Sequence, residues 1–361
     1  MIGGGHNAQS VGAVVIIDST ITNTPVGVAF ASDATSQPPA AGALVLENIQ
    51  LNNVPIAIQG PAGTIALAGT SGSTTIAAWA EGHAYLPNGP QFIEGPITPD
   101  PRPGNLLTGT RYYERSKPQY ANYPVTSFVS TRTSGAKGDG VTDDTQALQN
   151  AIYAAVRSGY ILFFDAGTYK VTGTLYVPAG SKMVGEAYSV IMGAGSYFNN
   201  VNNPQPVVQV GRQGDRGQVE WSDMIVSTQG PTIGAILIEW NLASSSYAPS
   251  GMWDVHERIG GFIGSQLTDA NCPKTPAIQT PPAPINAACY GAYLGMHVTK
   301  YASGLYLENV WLWTADNYID GGNNQITIYA GRGMLVEPRD GTMWLYGRHK
   351  RTCCITVQSI H

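Results

Sequence analysis

Charge is the scarcest property of this sequence. Only 12% of its 361 residues are Asp, Glu, Lys or Arg, against roughly 25% in an average soluble domain. The net charge of −5 offers no attraction to nucleic acid or to an anionic membrane, so we expect neither as a partner. Instead the chain has 43 Gly and 24 Pro, with many Ser, Thr and Asn. This profile favours an extracellular protein rich in strands and turns.

Long apolar stretches are also missing. The sequence has no run of about 18 apolar residues, so it predicts no bilayer-spanning helix. Residues 1–6 have neither the basic n-region nor the apolar h-region of a signal peptide. Taken literally, this indicates a cytosolic product. The internal repeats favour a different interpretation, in which an N-terminal part is missing.

Cysteine occurs only four times. Cys272 and Cys289 bracket a Pro-rich loop, and we expect a disulfide between them, with two buried free thiols as the alternative. Closing a loop of this size contributes roughly 3 kcal/mol in the chain-entropy model. Cys353 and Cys354 are adjacent and receive no role. No spacing of Cys and His predicts a zinc site, and we expect no metal and no other cofactor.

An internal repeat organises the first part of the chain. Residues 12–28 align without gaps with residues 42–58, at a period of 30 residues. Alternating apolar residues predict strands, and Asn at the turns tolerates the left-handed conformation. The phrase at residues 44–52 returns at residues 305–313, so the second half uses the same unit. Such a period is typical of one coil of a parallel β-helix, which buries its apolar face only when coils stack.

A capping segment lies unusually far along the chain. A Gly-Asp-Gly turn at residues 138–140 leads to Thr142 or Asp143 as a predicted N-cap, and then to an apolar helical run over residues 147–155. A strand, a Gly turn and a second strand follow over residues 161–172. This order resembles the entry into a right-handed parallel β-helix of the pectate-lyase type, in which a short helix covers the first coil. We interpret the acidic residues of the segment, Asp139, Asp143 and Asp144, as turn and capping residues.

These features predict four parts. Residues 1–83 are the C-terminal coils of a first β-helix, residues 84–129 a linker, residues 130–347 the cap and coils of a second β-helix, and residues 348–361 an aberrant tail. The linker either packs in the groove between two β-helices or is a solvated connector. The tail has four consecutive basic or His residues and a Cys pair, unlike the coils before it. A frame slip in the gene model is our hypothesis for that tail.

A series of phrases, taken in order, identifies a family. They include Asp-Ser-Thr-Ile-Thr-Asn-Thr-Pro at residues 18–25, Glu-Arg-Ser-Lys-Pro-Gln-Tyr at 114–120, Gly-Ala-Lys-Gly-Asp-Gly at 135–140, Val-Gly-Glu-Ala-Tyr-Ser at 184–189 and Asn-Val-Trp-Leu-Trp-Thr-Ala-Asp at 309–316. With them the chain resembles the fungal glycoside hydrolase family 55, the exo-β-1,3-glucanases, to about residue 347. The resemblance implies an all-β fold of two tandem right-handed parallel β-helices in a rib-cage arrangement, with the active site in the cleft between them.

The resemblance also implies that parts are absent. Family members begin with a secretion signal and further coils, and the phrase that bears their catalytic acid follows the part matched here. We therefore expect a secreted, monomeric full-length protein of which this chain is an incomplete and inactive part, and we assign no catalytic residue. Glu337 is the nearest carboxylate on a late coil, and we interpret it as a turn residue.

Sugar-binding candidates are better represented. Glucose units stack their C–H faces on aromatic rings, while their hydroxyl groups bond to carboxylates or amides. Trp313 and Asp316 are the first pair, because Trp313 occupies an outward position of the repeat; a Trp that fills a groove is the alternative. A second cluster consists of Trp253, Asp254 and His256, although His256 is also interpretable as a structural histidine.

Three functions follow from these candidates. The leading one is hydrolysis of β-1,3-glucan with inversion of configuration. A pectin-active lyase or polygalacturonase is the second, but lyases of this fold often use Ca²⁺ and a basic residue, and the repeats show no Asp clustered with Arg or Lys. A non-catalytic glucan-binding or structural β-helix is the third. Hydrolysis of laminarin by the full-length protein, as opposed to retention on insoluble glucan without sugar release, separates them.

Overall fold

The computed structural model describes residues 12–35, 42–275, 285–338 and 341–347, together with the backbone of residues 355–357. The chain divides into two compact units, Met1–Tyr113 and Glu114–His361. No helix within the described ranges is both long and apolar enough to cross a membrane.

The first unit is built from parallel coils followed by an antiparallel extension. Its strands are β1 (Ala13–Ile17), β2 (Thr20–Thr22), β3 (Val26–Ala29), β4 (Ala43–Gln59), β5 (Ile65–Leu86), β6 (Gly89–Pro96), β7 (Leu107–Thr108) and β8 (Arg111–Tyr112). Strands β1, β2 and β3 pair in parallel with β4, and the register joins Ile21 to Leu51. The Asn53 amide donates to the Asn23 side chain, 30 residues earlier, at 3.0 Å. The predicted repeat is therefore confirmed as a coil.

The other edge of β4 has a different partner. Strand β5 pairs with β4 in antiparallel fashion, and β6 pairs with β5 in the same way. Strand β6 lies within the range that the sequence assigns to the linker. Alternate residues of β4 face inward and form the centre of the core of this unit with Phe30 and Trp79.

The second unit is the larger one. Its strands up to the disulfide region are β9 (Phe128–Ser130), β10 (Asp139–Asp143), β11 (Ile161–Phe164), β12 (Gly167–Val171), β13 (Leu175–Val177), β14 (Lys182–Ala194), β15 (Gln205–Val210), β16 (Glu220–Gln229), β17 (Ala235–Trp240) and β18 (Ser250–Ile259). The later strands are β19 (Tyr290–Val298), β20 (Leu305–Glu308), β21 (Leu312–Thr314), β22 (Asn317–Tyr318), β23 (Asn324–Gln325), β24 (Tyr329–Val336), β25 (Met343–Tyr346) and β26 (Ile355–Val357).

Two sheets of this unit are parallel throughout. The first follows the order β10-β12-β14-β16-β18-β20-β25, with β11 beside β14 and β21 beside β18; the second follows β13-β15-β17-β19-β24-β26. Successive coils add one strand to each sheet, which confirms the parallel β-helix. Inward side chains form a continuous core that includes Trp221 and Trp240, both fully buried. Of the tail at residues 348–361, only β26 is described, paired in parallel with β24.

One α-helix begins the second unit. It is α1 (Thr145–Ser158), and it buries Leu148 and Ile152 on its apolar face. Its N-cap is Asp144 rather than the predicted Thr142 or Asp143. The reason is that Thr142 and Asp143 still belong to β10, in which Asp143 pairs with Lys170 of β12. The buried Asp144 carboxylate accepts backbone N–H groups from the preceding Gly-rich turn, at 2.7 and 2.9 Å, and makes no capping hydrogen bond to the helix.

The other two acidic residues of this segment act as predicted. The Asp139 carboxylate accepts the backbone N–H of Thr142 at 2.7 Å, and the Asp143 carboxylate accepts that of Thr145 at 3.0 Å. Their turn roles are thereby confirmed, and neither residue is the N-cap.

Left-handed residues mark the corners of the coils. Asn48 and Asn309, which occupy the same place in the repeated phrase, have φ values of 53° and 52°. Asp223 and Asp254 have φ values of 58° and 54° on the coils before Asn309. Asn and Asp tolerate this conformation better than most side chains, so the repeat conserves a backbone bend as well as an apolar pattern.

Candidate functional site

An outward-facing patch forms where β18 and β21 lie side by side. The register pairs Arg258 with Trp313. Side chains two residues apart on a strand share a face, so His256 lies beside Arg258 and Trp311 beside Trp313. We call these four residues the aromatic patch. All four are half-buried.

Stacked rings form the centre of the aromatic patch. The indole rings of Trp311 and Trp313 are 4.8 Å apart between centroids and only 13° from parallel. The guanidinium carbon of Arg258 lies over the Trp313 ring at 5.3 Å and over the Phe262 ring at 5.2 Å from the centroids. Cation and rings together hold Trp313 in one orientation, which a ligand-binding aromatic needs.

Arg258 uses only part of its hydrogen-bonding capacity. One terminal nitrogen donates to the Gly261 carbonyl at 2.6 Å, while Nε is buried and finds no hydrogen-bond partner among the described residues. Burial lowers the pKa of Arg258, although the nearby Asp320 carboxylate opposes the shift. A partly desolvated cation interacts more strongly with an aromatic face than a solvated one does.

His256 supports the patch from the other side. Its Nδ1 accepts the backbone N–H of Trp311 at 3.2 Å, so the neutral ring carries its proton on Nε2. The imidazole meets the Trp311 ring edge to face at 6.4 Å. Burial lowers the pKa of His256 and outweighs the opposing effects of Asp254 and Asp223. The structural role that the sequence left open for His256 is thus realised, and a sugar contact stays a prediction.

Asp316 lies just beyond the patch. It follows β21 by two residues, its side chain is exposed, and its backbone carbonyl accepts the N–H of Ile326 at 2.9 Å. This bond closes a short antiparallel hairpin formed by β22 and β23. An aromatic pair followed by an exposed carboxylate has the chemistry of a sugar subsite. Binding of a ligand by Trp313 and Asp316 stays a prediction.

Asp254 has a different environment from its sequence neighbours. Its carboxylate accepts a hydrogen bond from Nζ of Lys117 at 2.8 Å. The same Nζ donates to Asp223 on the preceding coil, also at 2.8 Å. The Asn309 amide donates to Asp254 as well. Burial alone would raise the pKa of Asp254, but the hydrogen bonds from Lys117 and Asn309 outweigh it and hold that pKa below its usual range.

This arrangement was not predicted. Two carboxylates of the repeats, Asp223 and Asp254, form a cluster with Lys117, which lies outside the repeats. The sequence could not reveal it because the lysine comes from the segment before the β-helix, 137 residues from Asp254. Among the residues that the structure describes, no group of three or more His, Cys, Asp or Glu is arranged to hold a metal ion. The positive charge between the two carboxylates is the Lys117 ammonium.

Trp253 cannot act as the predicted stacking residue. It is 1% exposed, its indole N–H donates to the Arg115 carbonyl at 3.1 Å, and the Arg115 guanidinium lies over its ring at 5.1 Å. The Tyr306 ring packs against it at 5.9 Å. A ring covered in this way has no face for a sugar, because the segment around Arg115 lies over it. That segment was invisible to an argument from the repeat alone.

The remaining candidates are structural. A disulfide joins Cys272 and Cys289, both of them buried. Glu337 follows β24, and its carboxylate lies 2.7 Å from Nε2 of His297. Burial alone would lower the pKa of His297, but hydrogen bonds with Glu239 and Glu337 raise it above its usual value. Glu337 is therefore paired rather than poised in a cleft.

Two patch residues were missed by the sequence argument. Trp311 could have been found from the alternation Trp-Leu-Trp, which places it on the same face as Trp313. Arg258 could not, since its partnership with Trp313 depends on the register between two strands 55 residues apart.

The chain is similar to several known proteins. Residues 128–230 match the family described as rhamnogalacturonase A/epimerase, pectate lyase-like. The chain is 47% identical over 353 residues to the glucan 1,3-beta-glucosidase of Cochliobolus carbonum, covering 97% of this chain and 43% of the relative. It is 35% identical over 445 residues to a probable glucan endo-1,3-beta-glucosidase of Arthroderma benhamiae, covering 96% and 50%.

A third relative has a name of another kind. The non-secreted LysM effector LysM15 of Penicillium expansum is 37% identical over 350 residues, covering 94% of this chain and 24% of that protein. The chain thus spans half or less of the length of these curated relatives.

Proposed function

We propose that this chain, a member of the fungal glycoside hydrolase family 55 within the pectate-lyase-like group, supplies a glucan-recognition surface to an exo-β-1,3-glucanase that acts with inversion. The observation that carries the proposal is the stacked pair Trp311 and Trp313, followed by the exposed Asp316. The substrate class is a laminarin-like or cell-wall β-1,3-glucan. The acid and base of the reaction are assigned to no residue of this chain.

The proposed reaction needs catalytic groups and, separately, groups that bind the sugar. Inversion needs a protonated carboxylic acid and a base separated by roughly 6.5–9.5 Å. Before either can act, the sugar must be held in place, and fixed binding groups lower the entropic cost of the reaction. The part of the stacked Trp311–Trp313 pair that stays exposed offers apolar surface to the pyranose ring, and Asp316 accepts hydrogen bonds from its hydroxyl groups. Arg258 and Trp311 keep the Trp313 ring in place for this contact.

Location outside the cell belongs to the same proposal. The disulfide between Cys272 and Cys289 supports an oxidising environment for the full-length protein. We propose that the full-length protein acts as a secreted monomer.

Titration of the chain with β-1,3-linked glucose oligomers tests recognition. We expect Trp313→Ala and Asp316→Asn each to weaken binding at least about tenfold, or about 1.4 kcal/mol. Tyr247 is 94% exposed elsewhere in the unit, so Tyr247→Ala is a matched control and should bind like the wild type. A β-1,4-linked hexamer and polygalacturonate serve as ligand controls. Equal binding by all variants would contradict the assignment of the site.

Hydrolysis is tested on the full-length gene product. We expect release of single glucose units from laminarin, initially as the α-anomer, measured by NMR. Oligosaccharide products would support endo cleavage, and initial release of the β-anomer would contradict inversion.

A non-catalytic glucan-binding role is the second candidate. It rests on the same stacked pair, Trp311 and Trp313, which can hold a sugar whether or not a bond is cleaved. It predicts retention on insoluble β-1,3-glucan with no release of sugar from the full-length product, an outcome that would overturn the hydrolase proposal while leaving the binding surface intact.

A further inference from the structure

The turn that carries Asp316 has little stability of its own. It is closed by strands of two residues each, β22 and β23. A hairpin of this size is marginal in water without packing from elsewhere. We call residues 316–326 the binding hairpin. Its geometry must therefore be fixed by contacts outside it.

Besides the core packing of Ile326 and Tyr318, those contacts come from one stretch of chain, residues 260–275, which we call the anchor loop. Backbone and side-chain hydrogen bonds tie the binding hairpin to it along its whole length: Ile319 N–H to Gly261 at 3.1 Å, Ile263 N–H to Asp320 at 2.8 Å, Asn324 to Asp269 at 2.7 Å, and Thr327 N–H to Cys272 at 3.1 Å. Pro273 and Ile326 also form an isolated antiparallel bridge. The anchor loop thus acts as the support of the hairpin.

The distal end of the anchor loop is fixed by the disulfide. Cys272 is covalently joined to Cys289, which directly precedes the core strand β19. A short series of contacts links Cys272 to Asp316. Its neighbour Pro273 forms a β-bridge with Ile326, and the Ile326 N–H donates to the Asp316 carbonyl. Side-chain hydrogen bonds add to this support: Asn286 donates to the Asn271 carbonyl at 3.2 Å, the Thr275 N–H donates to the Thr327 hydroxyl at 2.8 Å, and Lys274 donates to Gln325. The disulfide is the one covalent link between this end and β19 among the described residues.

We propose that the Cys272–Cys289 disulfide is a positioning element for the glucan-binding turn, so that its reduction weakens glucan binding while the β-helix stays folded. The inference rests on the proposed function for its ligand. Without the cross-link, the anchor loop samples open conformations, and the binding hairpin opens with it. Ligand binding must then supply the ordering of both, which lowers affinity.

The β-helix itself does not depend on this bond. Strands β18 and β19 are held by parallel ladders to neighbours on each side, and Leu267 and Ile326 belong to the continuous core. Loss of the disulfide therefore acts locally, on the end of the anchor loop and on the hairpin.

The experiment compares the wild-type chain with Cys272→Ser/Cys289→Ser. Amide hydrogen exchange by local opening should become at least about tenfold faster in residues 316–326, while exchange by local opening in β14 and β16 stays unchanged. Affinity for a β-1,3-linked glucose hexamer should fall about tenfold, with a single cooperative thermal transition retained. Reduction of the wild type by dithiothreitol should reproduce both effects, reoxidation should reverse them, and the double variant should not respond to the reductant.

Two outcomes decide against the inference. Unchanged exchange in the binding hairpin after loss of the disulfide would overturn it, as would faster exchange throughout the β-helix, which would make the bond a general stabiliser. Asn324→Ala is a second variant that removes one hairpin anchor and keeps the disulfide, and it should speed hairpin exchange too. If the wild type does not bind glucan, the proposed function fails, while hydrogen exchange still tests the coupling of disulfide and hairpin.

Discussion

Arg258 and Trp313 lie side by side on neighbouring coils, with the guanidinium carbon 5.3 Å from the centre of the indole ring. The same cation lies over Phe262 and donates to the Gly261 carbonyl. A half-buried cation thus connects the end of β18 to the ring that we assign to glucan. The orientation of that ring depends on a residue that does not itself need to touch the sugar.

Replacement of Arg258 by Met tests this dependence. The Met side chain keeps much of the apolar stem and removes the cation, so we expect a stability change within about 1 kcal/mol, because a cation–π contact and a desolvation cost are lost together. Affinity for glucan oligomers should fall about three- to tenfold, and the near-UV circular dichroism of the stacked indoles should change. Arg258→Lys should be intermediate. An unaltered near-UV spectrum would show that the guanidinium does not hold the ring.

A second prediction concerns Lys117 and the two carboxylates that it bridges, Asp223 and Asp254. Lys117→Met leaves Asp223 and Asp254 facing each other, and we expect a loss of about 1–2 kcal/mol at pH 7, kept small by partial solvent exposure. The pKa of Asp254 is lowered in the folded state, so this stabilisation is present above the unfolded value of about 3.9 and disappears as pH falls through the lower folded value.

Urea unfolding at pH 7 and at pH 2.5 measures the effect of this change. The two proteins should differ at pH 7 and converge at pH 2.5. Lys117→Met/Asp223→Asn should recover part of the loss at pH 7, because it removes the repulsion. A difference that persists at low pH would assign the effect to lost packing of the lysine stem.

Glu81 in the first unit predicts the opposite pH dependence. It is 2% exposed, and burial, with repulsion from Glu94 and Asp33, raises its pKa to about 7. Since the folded value is raised, the associated stability is complete below the unfolded value of about 4.3 and is lost as pH rises through about 7.

Glu81→Gln should remove this loss. We expect equal stability of variant and wild type at pH 4 and a variant more stable by up to about 3 kcal/mol at pH 8.5. Thermal unfolding at both pH values makes the comparison, with Glu94→Gln as the partner control that should give a smaller gain. A wild type with stability independent of pH between these values would contradict the raised pKa.

The left-handed corner at Asn309 gives a fourth prediction. Its φ of 52° disfavours side chains other than Asn, Asp and Gly, so Asn309→Ala should cost about 1–2 kcal/mol. Asn309→Gly relieves the backbone but still loses the hydrogen bond to Asp254, and it should cost less than the alanine variant. Asn122→Ala, at an exposed position outside the left-handed region, is the control. Chemical denaturation gives all three values, and equal costs for Ala and Gly would contradict a conformational origin.

The coils and the cap were predictable because their signals are local. A 30-residue period with Asn at fixed places determines which strands stack, and the register of Ile21 with Leu51 follows from it. The cap helix follows from turn chemistry and an apolar period, although its N-cap is Asp144 because Asp143 still pairs with β12.

The site was only partly predictable, for a physical reason. The outward position of Trp313 follows from alternation along its strand. The burial of Trp253 and the cluster around Lys117 depend on a segment that crosses the coils from outside the repeat, at a separation of more than a hundred residues. The period of the repeat does not predict where such a segment lies. Trp253 was therefore predicted as a sugar contact, although Arg115 covers it.

The most direct test of the central claim is amide hydrogen exchange of the chain with and without a saturating β-1,3-linked glucose hexamer. Recognition at the aromatic patch predicts slower exchange in β21 and residues 315–318, with no change in the coils from β12 to β16, and loss of this protection in Trp313→Ala. Protection confined to another region, or protection that survives in Trp313→Ala, would contradict the account.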